Sequence, residues 1–250
     1  MKRATPLNQP RTAFLGAACW TTCRAVLLVT ALTACAQKPR TPDWQINAQA
    51  AAQKASEAYL SGNIRIEQLE WDRARAEVAR TGRIDLLARL ELMRCATQVA
   101  SLVVLPCTRF DALQPDAAAP EQAYADYLAH RVQPAQIPLL PQAQRALAAV
   151  AGTAAGAATD LPSAAAAALV SIDDPLSRLV AAGVLFQAGR ASAQVITVAT
   201  DTASAQGWRR PLLAWLGVEM QLAEARADQV AASAVRRRMR VIENQGAEPR

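Results

Sequence analysis

Apolar and small side chains recur every three or four residues along most of the chain after residue 41, the spacing that places them on one face of an α-helix. The segment before Pro106 illustrates the pattern, with alternating steps of four and three at Leu86, Leu90, Met93, Thr97, Ala100 and Val104. This spacing predicts a helix with one buried stripe, which ends before the proline because proline cannot continue a helix.

Turn signals divide the N-terminal part of the pattern into helices. Thr41 is placed to cap a helix that has Pro42 at its first position, and this helix is predicted to run as far as Ser61-Gly62-Asn63. A second helix should follow and end at Thr81-Gly82. Each helix and its turn therefore take about twenty residues.

The C-terminal third repeats this organisation. Asp174 and Pro175 provide a second cap with a proline start. Helices are predicted at about 175–188, 191–206, 210–226 and 229–243, separated by breaks near Gly189, Gly207 and Ala227. One helix and a tight turn every 18 to 20 residues is typical of antiparallel helical hairpins.

The middle of the chain is less regular. The six prolines from Pro106 to Pro141 confine that stretch to short helices, the best of them at 121–132. Residues 142–172 are rich in alanine and fit either a weakly packed linker or a pair of helices that pack closely through small side chains. The pattern alone leaves both alternatives open.

Composition strengthens the helical interpretation. Alanine, the best helix former, accounts for 58 of the 250 residues, and 52% of the residues are hydrophobic. We therefore predict an all-α protein of stacked antiparallel helical hairpins. Its predicted parts are N-terminal hairpins over 43–141, the alanine-rich segment over 142–172, C-terminal hairpins over 173–244 and a disordered tail over 245–250.

Residues 1–34 have the organisation of a bacterial export signal. They contain no acidic residue and four basic ones, Lys2, Arg3, Arg11 and Arg24, before an apolar run at 25–32. An eight-residue run makes about 12 Å of helix, whereas a bilayer core is ~30 Å thick. The run is therefore too short to be a transmembrane span.

The export signal closes with Leu32-Thr33-Ala34-Cys35, which resembles the lipobox of bacterial lipoproteins. The resemblance implies that Cys35 receives a diacylglyceryl group and becomes the mature N-terminus, with residues 35–42 as a lipidated tether. Since Ala36 rather than Asp follows this cysteine, it also implies the outer membrane, with the domain facing the periplasm. The alternative is an ordinary secretory signal beside which Cys35 lies by chance, although Leu32 and Thr33 fit that pattern poorly.

Loss of the leader changes the charge. The 27 basic and 21 acidic residues become 23 and 21, so the formal net charge falls from +6 to +2, which argues against nucleic acid as a partner. One basic cluster remains at Arg236, Arg237, Arg238 and Arg240. We interpret it as a solvated last helical turn, and the alternative is a contact with anionic lipid or peptidoglycan.

Loss of the leader would also reduce the number of free cysteines. Cys19 and Cys23 leave with the leader and Cys35 would be acylated, so Cys95 and Cys107 remain to meet in an oxidising compartment. We predict a structural disulfide between them, and the alternative is two separate buried thiols.

A weaker resemblance connects the hairpins to tetratricopeptide-type repeats. The small, turn-glycine, aromatic and small positions of that family are similar to Ala55, Gly62, Trp71 and Ala74, and partly to Ala182, Leu185, Gly189 and Val198. The family repeats every 34 residues, whereas two helices take 38 residues at 189–227, and the family's early tryptophan and terminal proline are missing. The resemblance implies a groove between helix pairs that receives a peptide or helix.

Candidate catalytic groups are few. Glu67 and Glu70 share a helix face and could form an acid and base pair. Acid-to-arginine pairs three residues apart follow on the same helix, so we interpret this face as charged and solvent-exposed. The one histidine, His130, is expected to lie at the surface or cap a helix end, and we expect no metal and no cofactor. Nucleophile-elbow, zinc-protease and phosphate-loop motifs do not occur in the sequence.

Trp208, Arg209 and Arg210 stand together at the predicted start of a helix, and tryptophan and arginine are enriched where proteins bind one another. The sequence therefore predicts a non-enzymatic lipoprotein that binds or scaffolds a periplasmic protein partner and contacts membrane lipid through Cys35. Two alternatives remain: a structural lipoprotein that contacts peptidoglycan through its arginine-rich end, and an enzyme with a carboxylate-only site.

Overall fold

A computed structural model of the chain describes residues 40–152 and 161–244, and every regular element in these ranges is helical. The all-α prediction is confirmed. The predicted export signal, Cys35, most of the tether and the predicted tail at 245–250 lie outside the described residues. No helix in the described ranges is long and apolar enough to cross a membrane.

The described helices are α1 (Asp43–Ser61), α2 (Ile64–Ala79), α3 (Ile84–Ala100), α4 (Thr108–Asp111), α5 (Ala119–Leu128), α6 (Gln142–Gly152), α7 (Leu161–Val170), α8 (Pro175–Gln187), α9 (Ala193–Ala205), α10 (Arg209–Ala225) and α11 (Gln229–Asn244). Two 3₁₀ segments, Gln114–Asp116 and Pro134–Leu139, flank α5. In the alanine-rich stretch, α6 and α7 pack against each other, and each also contacts α8.

Helices α1 and α2 form a tight hairpin around their own small cluster. Alanines line the inner face of α1 and let the larger side chains of α2 approach, with Trp71 buried among Ala48, Ala51, Ala52 and Ala55. Gly62 turns the chain with φ 87°, a left-handed conformation that glycine adopts without steric cost. The prediction that Thr41 caps α1 is wrong, because Pro42 occupies the N-cap position and no side chain bonds there.

The main core is built around α3 and α8, which contact each other directly. A Cβ added to Gly183 of α8 would overlap the Val99 carbonyl oxygen of α3 and lie 2.9 Å from its carbonyl carbon, so the two backbones touch where a side chain is missing. Helix α10 also reaches back to contact α1. These long-range contacts differ from a linear repeat array, in which each repeat contacts only its neighbours.

The C-terminal helices agree closely with the predicted ones. Asp174 caps α8 by accepting a hydrogen bond from the Ser177 backbone N–H at 2.7 Å. The three predicted breaks all adopt left-handed backbone conformations, at Gly189, Gly207 and Ala227. Consecutive helices from α8 to α11 pack side by side, as expected for hairpins.

Helix α3 departs from its predicted stripe. It ends at Ala100, and Val104 lies beyond it with 60% of its surface exposed. Met93 is also exposed, whereas Leu92 and Val99, which lie off the stripe, are buried. The reason is that α1, α2, α5 and α8 all contact α3, so it is buried on several faces rather than one.

The predicted disulfide is present. Cys95 lies in α3 and Cys107 directly precedes α4, with 6.0 Å between their Cα atoms and a sequence separation of 12. The bond closes a loop that leaves α3 and returns to it. Residues 103–107 of this loop are called the disulfide loop.

Candidate binding pocket and surfaces

A pocket of about 430 Å³ lies between α3, α5 and α8 and is called the α3–α5–α8 pocket below. Its wall is mostly apolar, with side chains contributed by Leu92, Met93, Ala96, Leu140, Leu176 and Val180. Pockets of about 300–1,000 Å³ with apolar walls and a few placed polar groups are typical of small-ligand sites.

Glu121 is the buried charge of this pocket. Its surface is 5% exposed, and its Oε1 accepts a hydrogen bond from Arg89 Nε at 2.7 Å. Its Oε2 is buried and has no hydrogen-bond partner among the described residues. Leaving a buried charged acceptor unpaired costs more than the ~1–3 kcal/mol of a neutral group. Within the described residues this oxygen therefore lacks a donor.

The other polar groups of the pocket differ in how many of their hydrogen-bonding positions are already filled. Gln144 is committed, because it accepts a hydrogen bond from the Tyr127 hydroxyl and donates one to the Ser177 carbonyl. Burial raises the pKa of Tyr124, and the nearby Asp174 raises it further. The Tyr124 hydroxyl therefore stays protonated at physiological pH and can form hydrogen bonds, but it does not act as a base.

A second feature is the apolar surface of the disulfide loop. Val104 and Leu105 are 60% and 63% exposed, although both are fully apolar. A cavity of about 390 Å³ lies against the loop and is lined in part by Phe110 and Leu128. The disulfide fixes one end of the loop and α3 fixes the other, so the loop is held at both ends.

The predicted solvent-facing carboxylates of α2 are buried, so that prediction is wrong. Glu70 contacts Lys54 of α1 and lies 3.9 Å from Arg73. Glu67 is also buried, and its neighbouring cations are Arg94 and Arg210. Cations from other helices meet these carboxylates, an arrangement that serves helix packing.

Burial raises the pKa of Glu67 above its ordinary value, and the charges of Arg210 and Arg94 oppose this only in part. The folded state therefore holds the Glu67 proton more tightly than the unfolded state does. This contribution to stability is present at low pH and is lost as the pH rises through the folded-state pKa.

We expect the stability of Glu67→Gln relative to the unmodified protein to rise between pH 4 and pH 7, because glutamine cannot ionise. Urea unfolding at several pH values measures this difference. Glu57→Gln, on the exposed surface of α1, is the matched control. A stability difference for Glu67→Gln that is flat or falls with pH would contradict the burial argument.

The predicted partner-binding residues make intramolecular contacts. The Arg210 guanidinium lies over the Tyr59 ring, 4.1 Å from its centroid, and joins α10 to α1. Arg209 donates a 3.5 Å hydrogen bond to the Glu243 backbone oxygen of α11. Trp208 is half-buried and packs against the main core at the start of α10.

All four arginines of the basic cluster are exposed on α11. Arg236 pairs with Glu224, and Arg238 lies 3.7 Å from Glu219, both on α10. Arg237 and Arg240 form no ion pair with any residue in the described ranges. About half of the predicted positive charge is thus balanced within the fold.

His130 lies exposed just after α5 with φ 57°, at the helix end as predicted. Within residues 40–152 and 161–244, no group of three or more histidine, cysteine, aspartate or glutamate side chains could hold a metal ion.

Comparison with protein-family models, with curated proteins and with solved structures finds no match to this chain.

Proposed function

We propose that this chain is an outer-membrane lipoprotein, anchored through an acylated Cys35 with its helical domain in the periplasm, and that it binds a protein partner as a non-enzymatic scaffold. The lipobox-like Leu32-Thr33-Ala34-Cys35 supports the anchor. The disulfide between Cys95 and Cys107 supports export, because such bonds persist in oxidising compartments such as the periplasm.

The observation that carries the binding proposal is the exposed apolar surface of the disulfide loop. Val104 and Leu105 are neighbours in the sequence, and each is more than half exposed. A loop that is already fixed loses little conformational freedom on binding, which is how a small apolar surface gains affinity. An apolar groove on the partner would receive these two side chains.

The anchor would strengthen this interaction without adding contacts. Each buried CH₂ of an acyl chain contributes about 0.8 kcal/mol, so two or more chains hold the domain at the membrane surface. Confinement to that surface raises the local concentration of the loop for partners in the same membrane.

A photo-cross-linking amino acid at position 105 tests the binding proposal in living cells. We expect one discrete adduct from this position, and we expect it to be lost when Cys95 and Cys107 are both changed to serine. Val230 on α11 is the matched control position, since it is apolar and 81% exposed. No adduct from position 105, or the same adducts from both positions, would refute the loop as the docking surface.

The anchor is tested separately by the mass of the native protein and by Cys35→Ser. We expect a diacylglyceryl-modified N-terminal cysteine, processing that is sensitive to globomycin, and release of the Cys35→Ser protein from the membrane fraction. An unmodified N-terminus, or a mature chain that begins at another residue, would refute the anchor and leave the cross-linking result standing on its own.

A further inference from the structure

We propose that the α3–α5–α8 pocket binds a small organic ammonium ion that carries an apolar body. The inference concerns a different surface from the disulfide loop, and it does not depend on the protein partner or on the anchor. Three properties of the pocket carry it: its volume, its apolar wall and the sign of its charge.

The wall and volume define the body of the ligand. Leu92, Ala96 and Val180 are buried side chains that form the floor, and the partly exposed Met93 and Leu139 lie at the mouth. A cavity of about 430 Å³ is large enough for a compact apolar group, and both of these residues are partly exposed to solvent. An apolar group placed there would leave water and contact apolar atoms on several sides.

The charges define the head group. Two carboxylates, Glu121 and Asp174, line the pocket together with one guanidinium, that of Arg89, which leaves a formal charge of −1. Arg89 donates a hydrogen bond to Oε1 of Glu121, and no described residue donates one to Oε2. Oε2 is covered in the structure, so a ligand in the pocket would reach it only after rotation about the last torsion of the side chain, which is broad for glutamate.

An ammonium group is the donor that fits this arrangement best. It has three N–H bonds and a positive charge, so it would complete the hydrogen bonding of Glu121 and balance the pocket. Ser177 and Tyr124 also line the pocket, and their hydroxyl oxygens are further acceptors. A carboxylate ligand would be repelled, and the amide of Gln144 is already committed to Tyr127 and the Ser177 carbonyl.

Calorimetric titration of the purified protein with three isosteric probes tests the proposal: 2-phenylethylammonium, 2-phenylethanol and phenylacetate. We expect the ammonium to bind at least tenfold more tightly than the alcohol, and the carboxylate to give no measurable heat. We expect Glu121→Gln to reduce the preference for the ammonium over the alcohol to less than threefold.

Glu91→Gln is the matched control, because Glu91 is an equally buried glutamate of α3 that pairs with Arg75 outside this pocket. We expect it to keep the full preference. Ala96→Leu places a larger side chain in the floor of the pocket and should weaken the binding of both the ammonium and the alcohol. This variant keeps the test decisive if Glu121→Gln does not fold. The proposal is overturned if the unmodified protein binds neither the ammonium nor the alcohol, or binds the two equally. It is also overturned if Glu121→Gln keeps the full preference for the ammonium over the alcohol.

Discussion

Replacing Gly183 with alanine is expected to lower the free energy of unfolding by about 3 kcal/mol or more, at the upper end of the cost of overpacking a core. The added Cβ would overlap the Val99 carbonyl oxygen and lie 2.9 Å from both its carbonyl carbon and its Cγ1. A backbone atom of a packed helix cannot rotate away as a flexible side chain can. Helices α3 and α8 would therefore have to separate at the centre of the main core.

Urea unfolding followed by far-ultraviolet circular dichroism measures this loss. Gly217→Ala is the matched control, because Gly217 also lies inside a helix, α10, and no described atom other than those of its chain neighbours and its own helix backbone lies within 4 Å of an added Cβ. Alanine there should raise stability by about 0.5–1 kcal/mol through helix propensity alone. Equal effects at the two glycines would show that α3 and α8 are not in close contact.

Trp215→Ala is expected to lower the free energy of unfolding by about 3–5 kcal/mol, the range for removing a large aromatic side chain from a core. Trp215 is fully buried, and its ring packs in a T-shaped arrangement with that of Phe186, with 6.0 Å between centroids. Its indole Nε1 donates a 3.2 Å hydrogen bond to the carbonyl of Ala100. That carbonyl belongs to the last turn of α3, where backbone acceptors lack helical partners.

Trp215→Phe separates the two contributions. It keeps an apolar ring and removes the donor, so we expect an intermediate loss, of about 1–3 kcal/mol, from the smaller ring and the unpaired Ala100 carbonyl. Trp208→Ala is the comparison for a half-buried tryptophan and should cost less than Trp215→Ala. Thermal and urea unfolding measure all three variants, and an equal cost at positions 208 and 215 would contradict the burial of Trp215.

The parts of the fold that depend on local chemistry could be predicted from the sequence. The cap at Asp174 and the left-handed breaks at Gly189 and Gly207 each involve residues within a few positions of one another. The disulfide could also be predicted, because the predicted leader removal and acylation of Cys35 would leave only Cys95 and Cys107 to pair. Such features need no knowledge of which helices meet.

The parts that depend on distant contacts could not be predicted in this way. Glu70 looks like a surface residue on its own helix, but in the fold it is buried and pairs with Lys54 of the neighbouring helix. The pocket brings Arg89 and Glu121 together across 32 residues of sequence, with no motif to mark the pair. The sequence does carry one signal of such a contact, because an isolated glycine within a helical pattern, here Gly183, has a packing reason when another backbone comes close.

The contact between Val99 and Gly183 also bears on how the chain acquires its structure. These residues lie 84 positions apart, so the central contact cannot form until most of the polypeptide is present. The hairpin of α1 and α2 joins neighbouring parts of the sequence and can form early. The apolar surface of α3 that packs against α8 stays exposed until α8 is present. A chain truncated before residue 175 should therefore need a chaperone to stay unaggregated during biogenesis.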